Sequence, residues 1–318
     1  MSTTSGWHPR IGITLGDPRG IGPEIAGAAL RHAPTAALGE FLLIGPSGTA
    51  VGEVDVSIGD WRDDGDARLA GRLAGLAIER GIELALRGDI DALVTAPIDK
   101  SAFQAGGWHF PGHTEMLRDL SGAGEVAMMM AAERTRLQGP LRVVLATTHL
   151  ALRNVSAALT PELLVSQTKL TAAAMRDWWA IPRPRLALCA FNPHASDNGL
   201  FGDEEERVYA PALEALRDSG IDVLGPVPAD TVFARAIDGE FDAVVAPYHD
   251  VGMAAFKTVS FGTGVNVTLG LPFPRTSPDH GTALDIAGTG RANPSSLIEA
   301  IHLAARLSSR FDTSPDRA

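Results

Sequence analysis

Apolar, β-branched runs recur along the chain, and each gives way to a polar break. Arg10–Leu15, Phe41–Ile44, Ala92–Thr95, Leu141–Thr147, Arg185–Phe191, Val223–Leu224, Ala243–Ala246 and Val265–Leu269 read as short strands. Between several of them lie stretches with helical patterning, Ala67–Arg87, Pro161–Trp179 and Glu204–Ser219. Strands alternating with helices predict an α/β protein with a largely parallel sheet. Local signals agree: Thr160 before Pro161 reads as a cap followed by proline in the first helical turn, and Gly220 closes the helix that precedes Ile221. There is no internal repeat, no low-complexity segment and no Pro/Gly/Ser-rich linker. The expected division is therefore a discontinuous one, with the chain leaving a first domain (1–121 and 262–318) to build a second (122–261). The tail after Ser308 is expected to fray.

The 318 residues suffice for two domains with sizeable cores, and 45% hydrophobic with 20% charged residues is an ordinary globular composition. The single cysteine, Cys189, excludes an internal disulfide framework and reads as a small buried residue, which fits a reducing cytoplasm. The first twelve residues lack the pattern of an export signal, and no apolar run reaches the ~18 residues of a membrane span. A net charge of −11, no basic block and two tyrosines argue against nucleic acid and against an anionic membrane surface. They do not exclude a phosphorylated metabolite, because a local pocket of Lys and Arg outweighs distant, screened charge.

The strongest chemical hint is a repetition. His149, His194 and His249 each sit where a strand-like run breaks into a polar turn, in LRVVLATTHL, LALCAFNPHA and FDAVVAPYHD. Strand ends are where α/β sheets build sites, so three imidazoles delivered from three such ends could converge on one cation, although any one of them alone also reads as a hydrogen-bonded turn residue. GDPRGIGPEI, Gly16–Ile25, follows a strand and opens a helix but departs from the dinucleotide fingerprint, and it reads equally as a tight turn with Pro23 starting the helix. TAPIDK ends another strand, and FPGHTEML places His113 and Thr114 at a helix start, suited to an anion such as phosphate or to simple capping by Thr114. Lys257, Asn266 and Arg275 offer a point charge, an amide and a forked guanidinium for a phosphate and a carboxylate. Surrounding glycines and prolines predict close turns there; solvated surface charge is the alternative. His280 heads DHGTALDIAG, where its imidazole and the backbone could face a nucleotide.

Taken in order, GDPRGIGPEI, TAPIDK, GHTE, TTHLALRNV, NPHASDNGLFGDEE, GPVPADTVF, YHDVGMAAFK and GVNVTLGLPFPRTSPDHGTALDIAGTG resemble the 4-hydroxythreonine-4-phosphate dehydrogenase family of pyridoxal phosphate biosynthesis, including its relatives acting on 4-phospho-D-erythronate or D-threonate. The resemblance runs from about Ile11 to Leu307. It implies an isocitrate/isopropylmalate dehydrogenase-like fold of two α/β domains with a cleft between them, and a homodimer that completes the site. His149, His194 and His249 then bind a divalent cation, zinc first and cobalt or magnesium as alternatives, with one ligand donated across the dimer. His113, Thr114, Lys257, Asn266 and Arg275 match substrate positions, and Asp230 lies in a further matching motif. HGTALDIAGTGRANP resembles the adenine-side loop of the isopropylmalate enzymes, which puts His280, Gly281, Thr282 and Asp285 against NAD or NADP.

The chain also departs from the family pattern. The stretch from Gly45 to Ala67 is shorter, Asp99 stands for the usual asparagine, Val251 for a glutamine, and Ser196–Asp197–Asn198 for Gly-Glu-Gly. None removes a metal or phosphate residue. Retention of Lys257, Asn266 and Arg275 favours a phosphorylated substrate over the phosphate-free cis-diol of a third branch. The expected reaction is NAD-dependent oxidation of a secondary hydroxyl with decarboxylation, and Lys257 or Asp230 assists proton transfer. An inactive metabolite-binding regulator is the rival from another class, and the intact histidine trio argues against it.

Overall fold

The computed structural model describes residues 8–62 and 65–308; the tail expected to fray lies outside them. Contacts divide the chain into two compact units, residues 1–124 with 271–318 and residues 125–270. In chain order unit 1 holds β1 (Arg10–Thr14), α1 (Gly22–Arg31), α2 (Ala33–Ala36), β2 (Glu40–Ser47), β3 (Val56–Asp60), α3 (Ala67–Leu86), β4 (Ala92–Thr95), α4 (Lys100–Ala105) and α5 (His113–Ser121), and it is completed by β11 (Arg275–Pro278) and α11 (Ser295–Ser308). Unit 2 holds β5 (Ala127–Ala132), β6 (Leu141–Leu145), α6 (Val155–Ala158), α7 (Pro161–Asp177), β7 (Leu186–Cys189), α8 (Ala210–Asp218), β8 (Val223–Val227), α9 (Ala229–Ile237), β9 (Ala243–Ala246), α10 (His249–Ser260) and β10 (Val265–Leu269).

In unit 1 the strands run β3-β2-β1-β4-β11, all parallel. Ile11, Ile13, Leu93 and Val94 are fully buried, the near-continuous apolar pattern of strands covered on both faces. The strand order reverses between β1 and β4, and at such a switch point the loops beyond the strand ends part to leave a crevice. GDPRGIGPEI follows β1 there and TAPIDK follows β4. Helix α3 packs closely on α4 because it carries glycines on that side: a Cβ at Gly71 would lie 1.8 Å from the Ala102 carbonyl oxygen, and one at Gly75 2.0 Å from Trp108 Nε1.

In unit 2 the order is β10-β5-β6-β9-β7-β8. Strands β6, β9, β7 and β8 are parallel, as a largely parallel sheet requires, and β5 is the exception, pairing antiparallel with both β10 and β6. The core gathers Met130, Val143, Leu145, Val232, Phe233, Val244 and Phe256. Helix α7 starts as its sequence predicts, with Thr160 Oγ1 accepting from the Leu163 N–H and Pro161 in the first turn. Among the described residues no helix is long and apolar enough to cross a membrane.

Candidate active site

The three histidines follow the C-terminal ends of β6, β7 and β9, and β9 lies between the other two. Neighbouring strands run about 4.8 Å apart, so His249, which follows the central strand, starts one strand from each flank while His149 and His194 start two strands apart. Accordingly the His149 and His249 rings stand 5.5 Å apart between centroids. Two hydrogen bonds join the segments that lead to the pair: Ala146 N–H donates to the Ala246 carbonyl at 2.8 Å, and Thr147 Oγ1 donates to the Pro247 carbonyl at 2.8 Å. His249 opens α10 rather than sitting in a turn, as its sequence context suggested. Its Nδ1 lies 2.7 Å from Asp250 Oδ1, and since a carboxylate only accepts, Nδ1 is the donor of that bond.

His194 lies in an unusual turn. Residues His194, Ala195, Ser196, Asp197 and Asn198 all have positive φ, between 45° and 67°. Each such non-glycine residue costs about 1–2 kcal/mol, so the turn must be held from outside. The hold comes from Glu204 and Glu205. Glu205 Oε1 accepts from the Phe191 N–H at 2.9 Å and the Asn192 N–H at 2.7 Å. Asn192 Nδ2 donates to Glu205 Oε2 at 2.8 Å and to Glu204 Oε2 at 2.7 Å. The other Glu204 oxygen accepts from Ser156 Oγ at 2.7 Å, which joins the segment after His149 to the turn that carries His194. Burial opposes the charge of Glu204, but the Ser156 and Asn192 hydrogen bonds outweigh it and hold its carboxyl below the usual range. Among the described residues, no three His, Cys, Asp or Glu side chains come close enough to hold a metal ion within one chain.

Unit 1 gathers positive and neutral nitrogen donors. Arg275 on β11 is 2% exposed and donates from Nε (3.2 Å) and Nη2 (2.5 Å) to Thr95 Oγ1 at the end of β4. A hydroxyl satisfies those N–H groups without neutralising them, and burial pushes the guanidinium down to about 9. His113 is half-buried as a residue, yet its Nε2 is shut off from solvent and has no hydrogen-bond partner. Burial, with Arg275 and Lys100 adding repulsion, holds its imidazole well below the usual value near 6.5 and therefore neutral. Thr114 does not cap α5: the cap position is Gly112, without a side-chain bond, and Thr114 lies inside the helix. Behind the set, buried Asp17 binds Arg19 at 2.7 Å, and Arg19 stands 3.8 Å from Asp99, whose carboxylate caps α4 by accepting from the Ala102 N–H.

Lys257 and Asn266 belong to unit 2. Lys257 sits in the last turn of α10, not in a close turn as its glycine- and proline-rich surroundings predict, and its Nζ lies 5.9 Å from the Phe261 ring centre. Asn266 is on β10 opposite Met130, and Asp230 is exposed in the first turn of α9. In unit 1, Ile21 N–H donates to the Thr282 carbonyl at 2.9 Å, and a Cβ at Gly20 would lie 2.8 Å from that oxygen, so the β1–α1 turn is pinned against the HGTALDIAG loop. Gly281 borders open space and Asp285 is exposed. His280 Nδ1 lies 3.0 Å from the Gly281 carbonyl, while its buried Nε2 has no hydrogen-bond partner. A separate cavity of about 560 Å³ opens between α7 and α8, lined by Val165, Leu170 and Pro211, and none of these candidate residues borders it.

Thr95, Lys100, Asn192, Glu204 and Glu205 carry no sequence signal of their own beyond lying inside TAPIDK and NPHASDNGLFGDEE, because a residue that holds a site resembles any other polar loop residue until its partners are seen.

Residues 50–304 match the family model for the pyridoxal phosphate biosynthetic protein PdxA. The chain is 43% identical to 4-hydroxythreonine-4-phosphate dehydrogenase of Paracoccus denitrificans (94% of this chain, 97% of that protein) and 42% identical to D-threonate 4-phosphate dehydrogenase of Cupriavidus necator (96% and 99%). It resembles the crystal structure of 4-hydroxythreonine-4-phosphate dehydrogenase from Klebsiella pneumoniae with a TM-score of 0.84 at 36% identity, over 96% of this chain and 99% of that one. A β-decarboxylating dehydrogenase from Thermococcus kodakarensis, 16% identical, shares the two-domain α/β dehydrogenase fold with a TM-score of 0.57 over 96% of this chain and 84% of that one. With the family match spanning most of its length and such relatives covering nearly all of it, the chain belongs to the PdxA family of NAD-dependent dehydrogenases.

Proposed function

We propose that the chain oxidises the secondary hydroxyl of 4-phosphohydroxy-L-threonine with NAD and releases its carboxylate as CO₂, leaving 3-amino-2-oxopropyl phosphate. The observation that carries this reading is the enclosed Arg275 beside a neutral His113 whose Nε2 is unpartnered, with Lys100 close enough to repel its protonated form. Such a set favours a phosphate over a neutral group. Arg275 offers the planar fork, His113 a buried ring nitrogen, and Thr114 a hydroxyl in the first turn of α5.

The donors of unit 2 fit a borderline divalent ion, zinc or cobalt before magnesium. Two imidazoles stand together, and Asp250 fixes the tautomer of one, the arrangement that orients metal-binding histidines. The third imidazole is then contributed across a homodimer. The loop from His280 to Asp285 fits a nucleotide: His280 Nδ1 is engaged with the Gly281 carbonyl, its buried Nε2 has no hydrogen-bond partner and suits a polar group of the base, and Gly281 leaves the backbone approachable. When bound, the ion supplies Lewis acidity at the reacting oxygen and the nicotinamide supplies redox capacity. Lys257 or Asp230 assists the proton transfer, Lys257 being the more enclosed. In this reading unit 1 holds the nucleotide and phosphate, unit 2 the metal, and the enzyme works in the cytoplasm.

The similarity to the Cupriavidus enzyme supports a second reading, oxidation of D-threonate 4-phosphate or its erythronate counterpart. NADH formation with each acid in turn, and with a phosphate-free cis-diol, separates the readings. The highest kcat/KM is expected on 4-phosphohydroxy-L-threonine. Turnover confined to the threonate or erythronate would move the assignment to the second reading, and turnover of the diol alone would overturn both.

A further inference from the structure

The turn that carries His194 is held by side chains rather than by its own backbone preference. We propose that Glu205, with Glu204 and Asn192, is a positioning residue that sets the His194 imidazole for the divalent ion. The inference rests on reading His194 as a ligand.

Glu205 is 7% exposed, and its two oxygens accept three hydrogen bonds, all from the two residues at the root of the turn. A buried carboxylate saturated in this way fixes where the chain leaves β7. Glu204 adds the lateral constraint by gripping the same Asn192 amide and Ser156 of α6, so the segments after β6 and β7 move together. The loop between turn and clamp folds tightly onto it: at Gly202, with φ +144°, a Cβ would lie 2.6 Å from Asn192 Nδ2 and 2.7 Å from Glu204 Oε2. The Phe191 ring meets the Tyr248 ring edge-on at 6.2 Å, which couples the root of the His194 turn to the residue preceding His249. Ser196 completes the turn from inside, its Oγ accepting from the Gly199 N–H at 2.8 Å. Asn192, Glu204 and Glu205 thus act on the ion only through the position of His194.

The test is Co²⁺ binding to the full-length apo-protein, measured by chelator competition and by the visible spectrum of the bound ion, with thermal unfolding alongside. Glu205→Gln keeps the shape and one acceptor oxygen but turns an NH₂ group toward the Asn192 amide. Weakening of Co²⁺ binding by about 10- to 100-fold with an altered spectrum is expected, as for other groups that orient metal ligands, while the apo-protein still unfolds cooperatively. Glu204→Gln, which leaves the Glu205 bonds in place, should give a smaller loss and serves in its place if Glu205→Gln does not fold. Lowered thermal stability with unchanged Co²⁺ affinity and spectrum would overturn the positioning role. His194→Ala measured in parallel separates the two levels: if it too binds Co²⁺ normally, the ligand reading fails, whereas a loss confined to His194→Ala leaves that reading standing and removes only the positioning role.

Discussion

At the scale of single residues, the proposed phosphate site rests on two groups, Arg275 and His113, whose ordinary ionisation is disturbed by burial. If Arg275 meets the phosphate, Arg275→Lys keeps the charge but loses the planar fork, so kcat/KM on a phosphorylated substrate should fall about tenfold or more, roughly 1.4 kcal/mol, with little change on a phosphate-free analogue. Equal losses on both would place Arg275 in the scaffold. His113 gives a pH dependence with a definite sign. Its folded pKa lies below the unfolded value near 6.5, so between the two the unfolded chain binds the extra proton, and stability is complete above that pH and declines as pH falls through it. Urea unfolding at a series of pH values should show that decline, and His113→Asn should flatten it; an equal decline in the variant would assign it to other groups. Arg275 and His113 were both legible in the sequence as charged or polar groups within recognisable strings. The burial of Arg275 was not, because β11 reads Arg-Thr-Ser-Pro, which has no apolar signature although all four residues are buried.

At the scale of elements, the sequence reveals strands that carry apolar, β-branched residues and hides those that do not. β1, β4, β9 and β10 fall where their apolar runs lie, whereas β5 is Ala-Met-Met-Met-Ala-Ala, β3 is a short, mostly exposed strand holding a glycine, and β11 is polar. The antiparallel pairing of β5 escaped notice for the same reason. Helix α3 offers a test in which two principles give opposite signs. Replacing a helical glycine by alanine raises helix propensity by about 1 kcal/mol, but at Gly71 the new methyl group meets the Ala102 carbonyl, which cannot rotate away. Gly71→Ala should therefore destabilise, by about 1–3 kcal/mol in denaturant unfolding. A stabilised variant would mean that α3 and α4 do not pack as described. The left-handed turn at His194–Asn198 was foreseeable only as a departure from the family pattern, since Ser196 and Asn198 stand where glycine would adopt positive φ without cost.

At the scale of the whole molecule, the His149 and His249 rings stand together in one chain, and the proposed metal site takes its third imidazole from a second protomer. If one ligand crosses a homodimer, His194→Ala and His249→Ala protomers, each inactive alone, should recover activity when mixed and reassembled, because half the sites in the mixed dimer hold a complete trio whichever of the two crosses over. No recovery in a verified heterodimer would rule out a crossing by His194 or His249. The central claim, that this chain couples NAD reduction to decarboxylation of a phosphorylated hydroxy acid, is tested most directly by measuring NADH and CO₂ from one reaction of the zinc- or cobalt-loaded protein with 4-phosphohydroxy-L-threonine. Equal amounts of the two, both abolished by chelation and restored by the metal, are the expected result. NADH without CO₂, or neither product while a phosphorylated acid binds tightly, would contradict it.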